Sequence, residues 1–140
     1  MTAQQIRLVR QSLEAAAPQR NRLAAIFFAR LFAREPQLRF LFRGDLRAQG
    51  QALWSGLAAI VDSLDRLHAI EPTLEWLALR AAARGAGERT YAVIGEELVA
   101  TVEAGLGERF TEAHRAAWDA ACRRVIGVLA RTVEAEPLAA

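Results

Sequence analysis

The chain contains no lysine: its 18 basic residues are all arginine, against 16 acidic residues, for a formal net charge of +2. So small an excess, dispersed along the sequence rather than gathered in one run, provides no electrostatic footprint for nucleic acid or an anionic membrane. Exclusive use of arginine lifts the isoelectric point to 9.4 but assigns no function, since arginine and lysine suit an exposed helix face equally. A single cysteine, Cys122, excludes an intrachain disulfide and a thiolate metal cluster. Its neighbours put it on a helix face, where it reads as a small buried hydrophobe. No apolar run approaches the ~20 residues that span a bilayer. Met1-Thr2-Ala3-Gln4-Gln5 lacks the basic and apolar regions of a secretory signal, so a cytoplasmic location is expected. With no serine–histidine–aspartate set, no metal-ligand spacing and no glycine-rich phosphate loop, the sequence supports no catalyst, and none is expected.

What is present is helix. At 140 residues and 53% hydrophobic, the chain suits one domain, 1–140, with a real core. Thr2 and Gln5 have the form of a capping box, followed by Ile6, Val9 and Leu13 on one face until Pro18. From about Asn21, Leu23, Phe27 and Leu31 form one i, i+4 row and Ala24, Phe28 and Phe32 the next, which predicts a deeply buried helix. Glu35-Pro36 ends it, and Pro36 opens a short helix reaching Phe42, with a bend through Arg43-Gly44-Asp45. Leu53, Leu57, Ile60, Val61 and Leu64 mark a helix over 46–64, in which Gly50 and Gly56 permit close approach of another helix or a flat ligand. Pro72 starts a further helix through Leu74, Leu77 and Ala81, stopped by Gly85 and Gly87. Another runs from about Thr90 through Ile94, Leu98 and Val102 to Gly105. A last helix, capped by Thr111, carries Trp118, Cys122, Val125 and Leu129. No segment alternates with period two, and there are no repeats.

Two stretches narrow the possible helical folds. Pro36-Gln37-Leu38-Arg39-Phe40-Leu41-Phe42 followed by Gly44-Asp45-Leu46-Arg47-Ala48-Gln49-Gly50-Gln51-Ala52-Leu53 resembles the corner and distal helix of bacterial single-domain globins of the flavohaemoglobin type. So does Tyr91-Ala92-Val93-Ile94-Gly95-Glu96-Glu97-Leu98 with Gly105-Leu106-Gly107 and Ala116-Ala117-Trp118. The match runs in order through nearly the whole chain. It implies an all-α globin fold of about seven or eight helices, with haem as the family's cofactor and oxygen binding as its default activity.

On this resemblance Phe42 takes the place of the phenylalanine that packs on the haem face and Gln49 that of the polar residue facing a bound gas. Leu53 and Phe28 would line the same side. Two departures stand out. Phe28 occupies a position where the family usually places a tyrosine that donates to bound oxygen, leaving Gln49 as the distal donor. The family also carries its iron-binding histidine ten positions before the tyrosine matched by Tyr91, with a glycine between them, and here that position is Ala81, with Gly85 as the glycine. In the family that tyrosine orients the histidine. Arg80 and Arg84 would be placed to meet haem propionates. The family's acidic partner near the chain end falls without gaps on Val133, with Glu134 one step on.

His68 and His114 fall at positions that should point away from the pocket, which leaves Cys122 as a weak alternative metal ligand and Tyr91 beside it. The sequence therefore reads as a haem-free or haem-poor globin that works as a small-ligand-binding or protein-interaction and sensing module. Its partner would be an apolar small ligand, weakly bound haem, a protein or a second copy. The alternative is a haem protein that binds O2, NO or CO with a non-histidine ligand or none.

Overall fold

The computed structural model describes the backbone of residues 1–135 and the side chains of residues 1–132. The side chains of Val133 and Glu134, matched above to the family's acidic position, lie outside the described residues. Among those described there is no strand. Six α-helices follow in order, α1 (Ala3–Ala16), α2 (Arg20–Arg34), α3 (Leu46–Asp62), α4 (Glu71–Ala82), α5 (Glu88–Leu106) and α6 (Glu112–Ala135). Two six-residue 3-10 helices, Pro36–Leu41 and Leu64–Ala69, flank α3. With these the count matches the seven or eight expected. The corner segment is the one change of type, since Pro36–Leu41 winds as 3-10 rather than α and Phe42 closes it, donating its N–H to the Arg39 carbonyl at 3.2 Å.

The helix ends are where the local sequence decides most. Thr2 and Gln5 exchange side-chain and backbone hydrogen bonds, both at 3.0 Å, as a capping box should. At the bend before α3, Gly44 takes φ +90° and the Asp45 carboxylate accepts from the Arg47 N–H. The end of α4 is a Schellman turn: Gly85 sits at φ +91° and donates to the Ala82 carbonyl, while the Ala86 N–H reaches back to Ala81. α5 begins two residues before Thr90, whose hydroxyl accepts from the Gly87 N–H at 3.0 Å. α6 is capped by Thr111 accepting from the His114 N–H, and His114 returns the contact by accepting from the Thr111 N–H at 3.1 Å.

α1 packs across α5 and α6, and α2 crosses α3 and α5. The main core joins Val9, Leu13, Leu23, Val61, Leu64, Val102, Leu106 and Trp118. Trp118 is 2% exposed, and its indole N–H donates to Ser12 Oγ at 2.8 Å. Ser12 in turn donates to the carbonyls of Leu8 and Val9, so a buried hydroxyl and a buried indole N–H satisfy each other at the α1–α6 crossing. A second core gathers Phe27, Phe28, Leu31 and Val93, backed by Phe32, Phe42 and Leu53. The α2–α5 crossing is sealed at its edge by Glu97, only 7% exposed, which accepts from Arg30 at 2.7 Å and Arg34 at 3.3 Å. Arg10 closes the end of α3 by donating to the carbonyls of Val61 and Asp62 and pairing with Asp65.

Close approach rests on small residues at two crossings. A methyl group on Gly50 would stand 3.0 Å from Ala24 Cβ, and one on Gly105 would stand 2.8 Å from Leu23 Cδ1. Leu23 is fully buried and has no room to swing aside. Alanine at 105 gains helix propensity worth about 1 kcal/mol but must displace a packed leucine, which costs about 1–3 kcal/mol. Gly56 meets nothing within 4 Å. Gly56→Ala should therefore stabilise by roughly 0.5–1 kcal/mol and Gly105→Ala should destabilise by about 1 kcal/mol, with urea midpoints as the readout. The same sign at both positions would contradict the packing described.

Candidate functional site

Three helices leave a gap where their apolar rows face one another. α3 contributes Leu53, Gly56, Leu57 and Ile60, α5 contributes Tyr91, Ile94, Gly95 and Leu98, and α6 contributes Trp118, Ala121, Cys122, Val125, Ile126 and Leu129. Phe42, Gln49 and Leu77 complete a cavity of about 410 Å³, within the range of small-molecule sites. The spacing of three and four residues that marks each helix as amphipathic is also what aligns these side chains toward one space. Glycine leaves the α3 wall open and lets α5 approach α6. Gly56 faces no neighbour, and a methyl on Gly95 would lie 3.5 Å from Cys122 Sγ.

Few polar atoms reach this lining. The Trp118 N–H is turned outward to Ser12. Gln49 lines the cavity but its amide nitrogen donates to the Arg43 carbonyl at 2.7 Å, so the corner loop holds it. The Cys122 thiol is pushed up to about 11, chiefly by burial and also by the Asp119 carboxylate. At neutral pH it is a thiol rather than a thiolate. The Tyr91 hydroxyl is buried and has no hydrogen-bond partner, and burial raises its pKa, so it too is neutral.

Of the residues singled out in the sequence, Phe42, Gln49, Leu53, Tyr91 and Cys122 come together on this cavity. Phe28 does not line it. Its ring packs edge-on against Phe42, with centroids 5.1 Å apart, and its other side borders a separate groove between α2 and α3 with Asn21, Ala25, Leu46 and Arg47. Ala81 is half-buried at the end of α4, where its carbonyl accepts from Ala86, and Leu77 one turn earlier is the α4 residue on the lining. Arg80 lies over the exposed Trp76 ring at 4.7 Å, and Arg84 is exposed, so neither arginine lines the cavity. Neither Trp54 nor Trp76 fills it.

The histidines are elsewhere, His68 exposed on the 3-10 segment before α4 and His114 occupied in the α6 cap. Sequence reasoning missed Ile126 as lining, although its neighbour Val125 had marked that face. It also missed Glu97, whose partners lie more than sixty residues away in the chain. Among the described residues no cluster of histidine, cysteine and carboxylate side chains suits a metal ion, and no helix is long and apolar enough to cross a membrane.

Comparison with known proteins agrees with this architecture. The Globin family model matches residues 25–129. A Flavohemoprotein of Bordetella parapertussis is 30% identical over 106 residues, covering 74% of this chain and 26% of its own length. The chain thus spans about a quarter of that relative. Neuroglobin-1 of Oncorhynchus mykiss is 30% identical over 132 residues, covering 84% of this chain and 83% of its own.

Among solved structures, an engineered carbene transferase from Rhodothermus marinus superposes with a TM-score of 0.83 at 28% identity, covering 99% of this chain and 96% of that one. A bacterial globin from Campylobacter jejuni shares the fold, with a TM-score of 0.81 at 18% identity over 95% of this chain and 96% of that one. Globins as a family bind haem and small gaseous ligands. From the ordered helices, the apolar cavity between α3, α5 and α6 and these matches, the chain belongs to the globin family.

Proposed function

We propose that this globin uses its cavity to hold an apolar small molecule, or haem without an axial side-chain bond, and serves as a ligand-binding or sensing module rather than a tight haem carrier. One observation carries the reading: no histidine lines the cavity, and the position ten residues before Tyr91 is Ala81, a methyl group with no lone pair. The other atoms at hand are poor substitutes. Cys122 is protonated at neutral pH, Tyr91 is a neutral phenol, and Gln49 is bound to Arg43. The residues present do not fit an iron-ligated haem, so no chemistry through iron is assigned and the activities of the Rhodothermus and Bordetella relatives are not carried over. Apolar burial alone contributes ~2.5 kcal/mol for each 100 Å² of ligand surface removed from water, offset by lost translational freedom. Binding without a bond is therefore weak to moderate.

Titration with hemin, followed by absorbance, tests this. Ala81→His should raise hemin affinity at least tenfold by restoring a nitrogen donor, ~1.4 kcal/mol or more. Equal, stoichiometric and tight binding by the unmodified chain and the variant would contradict the reading. If the variant gains nothing and neither chain binds, α4 does not approach the cavity closely enough for the reading to hold.

Cys122 offers a separate check. A thiol pushed to about 11 from an ordinary 9.0 is neutral in the fold, so folding gains nothing from it below pH 9 and loses stability as pH rises from 9 toward 11. At pH 8 the native thiol holds ~100-fold less thiolate than the unfolded chain, and iodoacetamide should modify it far more slowly in buffer than in urea. Comparable rates would mean Cys122 is an exposed or ionised thiol, and the case against it as a ligand would fall.

A further inference from the structure

Trp76, Leu77 and Leu79 are 55%, 45% and 44% exposed, three of the four large apolar residues left at the surface among the described residues. Single exposed apolar side chains are ordinary, but three within the twelve residues of α4 form a patch. α4 packs against α6 and the 3-10 helix Leu64–Ala69, with Leu74 and Ala78 buried. Leu77 belongs to the cavity lining. On the side away from Leu74 and Ala78, steps of three and four residues align Pro72, Trp76, Leu79 and Ala83, all exposed, in one strip. Ala83 extends it past the last helical residue because it keeps helical dihedrals, φ −62° and ψ −20°. The two edges of the strip differ in charge. Glu75 stands on one edge and Arg80 on the other, and Arg80 lies over the Trp76 ring at 4.7 Å. Neither Glu75 nor Arg80 enters an ion pair among the described residues.

We infer that this face of α4 docks on the same face of a second copy of the chain, the two helices running parallel about a two-fold axis. The spacing of the charges selects that occupant. In a parallel pair of helices packed through residues three and four apart, the residue just before a core position faces the residue five further on in the partner, and such charged pairs set partner and orientation. Here the residue before Trp76 is Glu75 and the residue five further on is Arg80, so a two-fold pair forms two ion pairs flanking the Trp76 and Leu79 strip. An antiparallel pair would set each edge against its own counterpart and leave both charges unanswered. A two-fold interface must be complementary to itself, and a strip with one acidic and one basic edge meets that condition. Its apolar contact is small beside the ~800 Å² per partner of a stable interface, so the pairing is weak and depends on concentration.

Sedimentation velocity on the full chain at concentrations from about 5 to 500 μM, a range that brackets weak association, should show monomer and dimer in equilibrium. Leu79→Glu should abolish the dimer. Glu75→Arg and Arg80→Glu each put like charges across the interface and should each weaken association about tenfold or more, with thermal melts to verify that the variants fold. Mixed in equal amounts, these two charge variants should associate again, because one then carries two basic edges and the other two acidic ones. A loss caused by misfolding would show no such recovery. A chain that stays monomeric throughout leaves the patch to a different protein and overturns the inference. A dimer indifferent to Leu79→Glu and to both charge reversals forms through another face and overturns it too, and two variants that fail to recover on mixing overturn the parallel pairing.

Discussion

The hydrogen bond from Trp118 to Ser12 fixes where α6 lies, and the cavity depends on where α6 lies. The indole N–H reaches across to α1 while the same residue forms part of the cavity wall. A buried indole N–H demands a partner, and Ser12 is the partner the crossing supplies, itself tied to the Leu8 and Val9 carbonyls. That chain of bonds holds α6 from its buried half, and further along the helix Cys122 packs on α5 at Gly95 while Cys122, Val125 and Leu129 line the space toward α3. Glycines at 50 and 105 let α2 approach its neighbours on the other side of the molecule. The open space is thus a consequence of where the tight contacts are.

Much of this frame was legible because it is local. Caps need only residues a turn apart, so Thr2 with Gln5, Pro36, Gly85 and Thr111 announced helix boundaries to within a few residues. The apolar rows of α3 and α6 were readable for the same reason, since period alone decides which side chains share a face. What escaped depends on how helices turn against one another. Phe28 and Phe42 were both expected on the cavity, but Phe42 reaches it and Phe28 packs edge-on against that ring without lining the space. Gln49 was legible as a polar group on the lining, whereas its bond to the Arg43 carbonyl arises from the path of a bend six residues earlier. Nothing local marked Glu97, because its partners Arg30 and Arg34 come from α2.

The site and the fold give different kinds of information about this protein. Its membership in the globin family follows from helices in order, a matched family model and relatives at 30% identity. Its chemistry rests on a handful of atoms. A cavity lined by Phe42, Leu53, Leu98 and Val125, with no histidine on it, offers apolar surface but no imidazole for iron.

The most direct measurement of that claim is a resonance Raman spectrum of the unmodified chain mixed with ferrous haem under exclusion of oxygen. The account predicts no iron–imidazole stretching band, because no histidine borders the cavity. A clear band of that kind, abolished when His68 or His114 is replaced, would contradict it and would require a fold in which one of those side chains reaches the cavity.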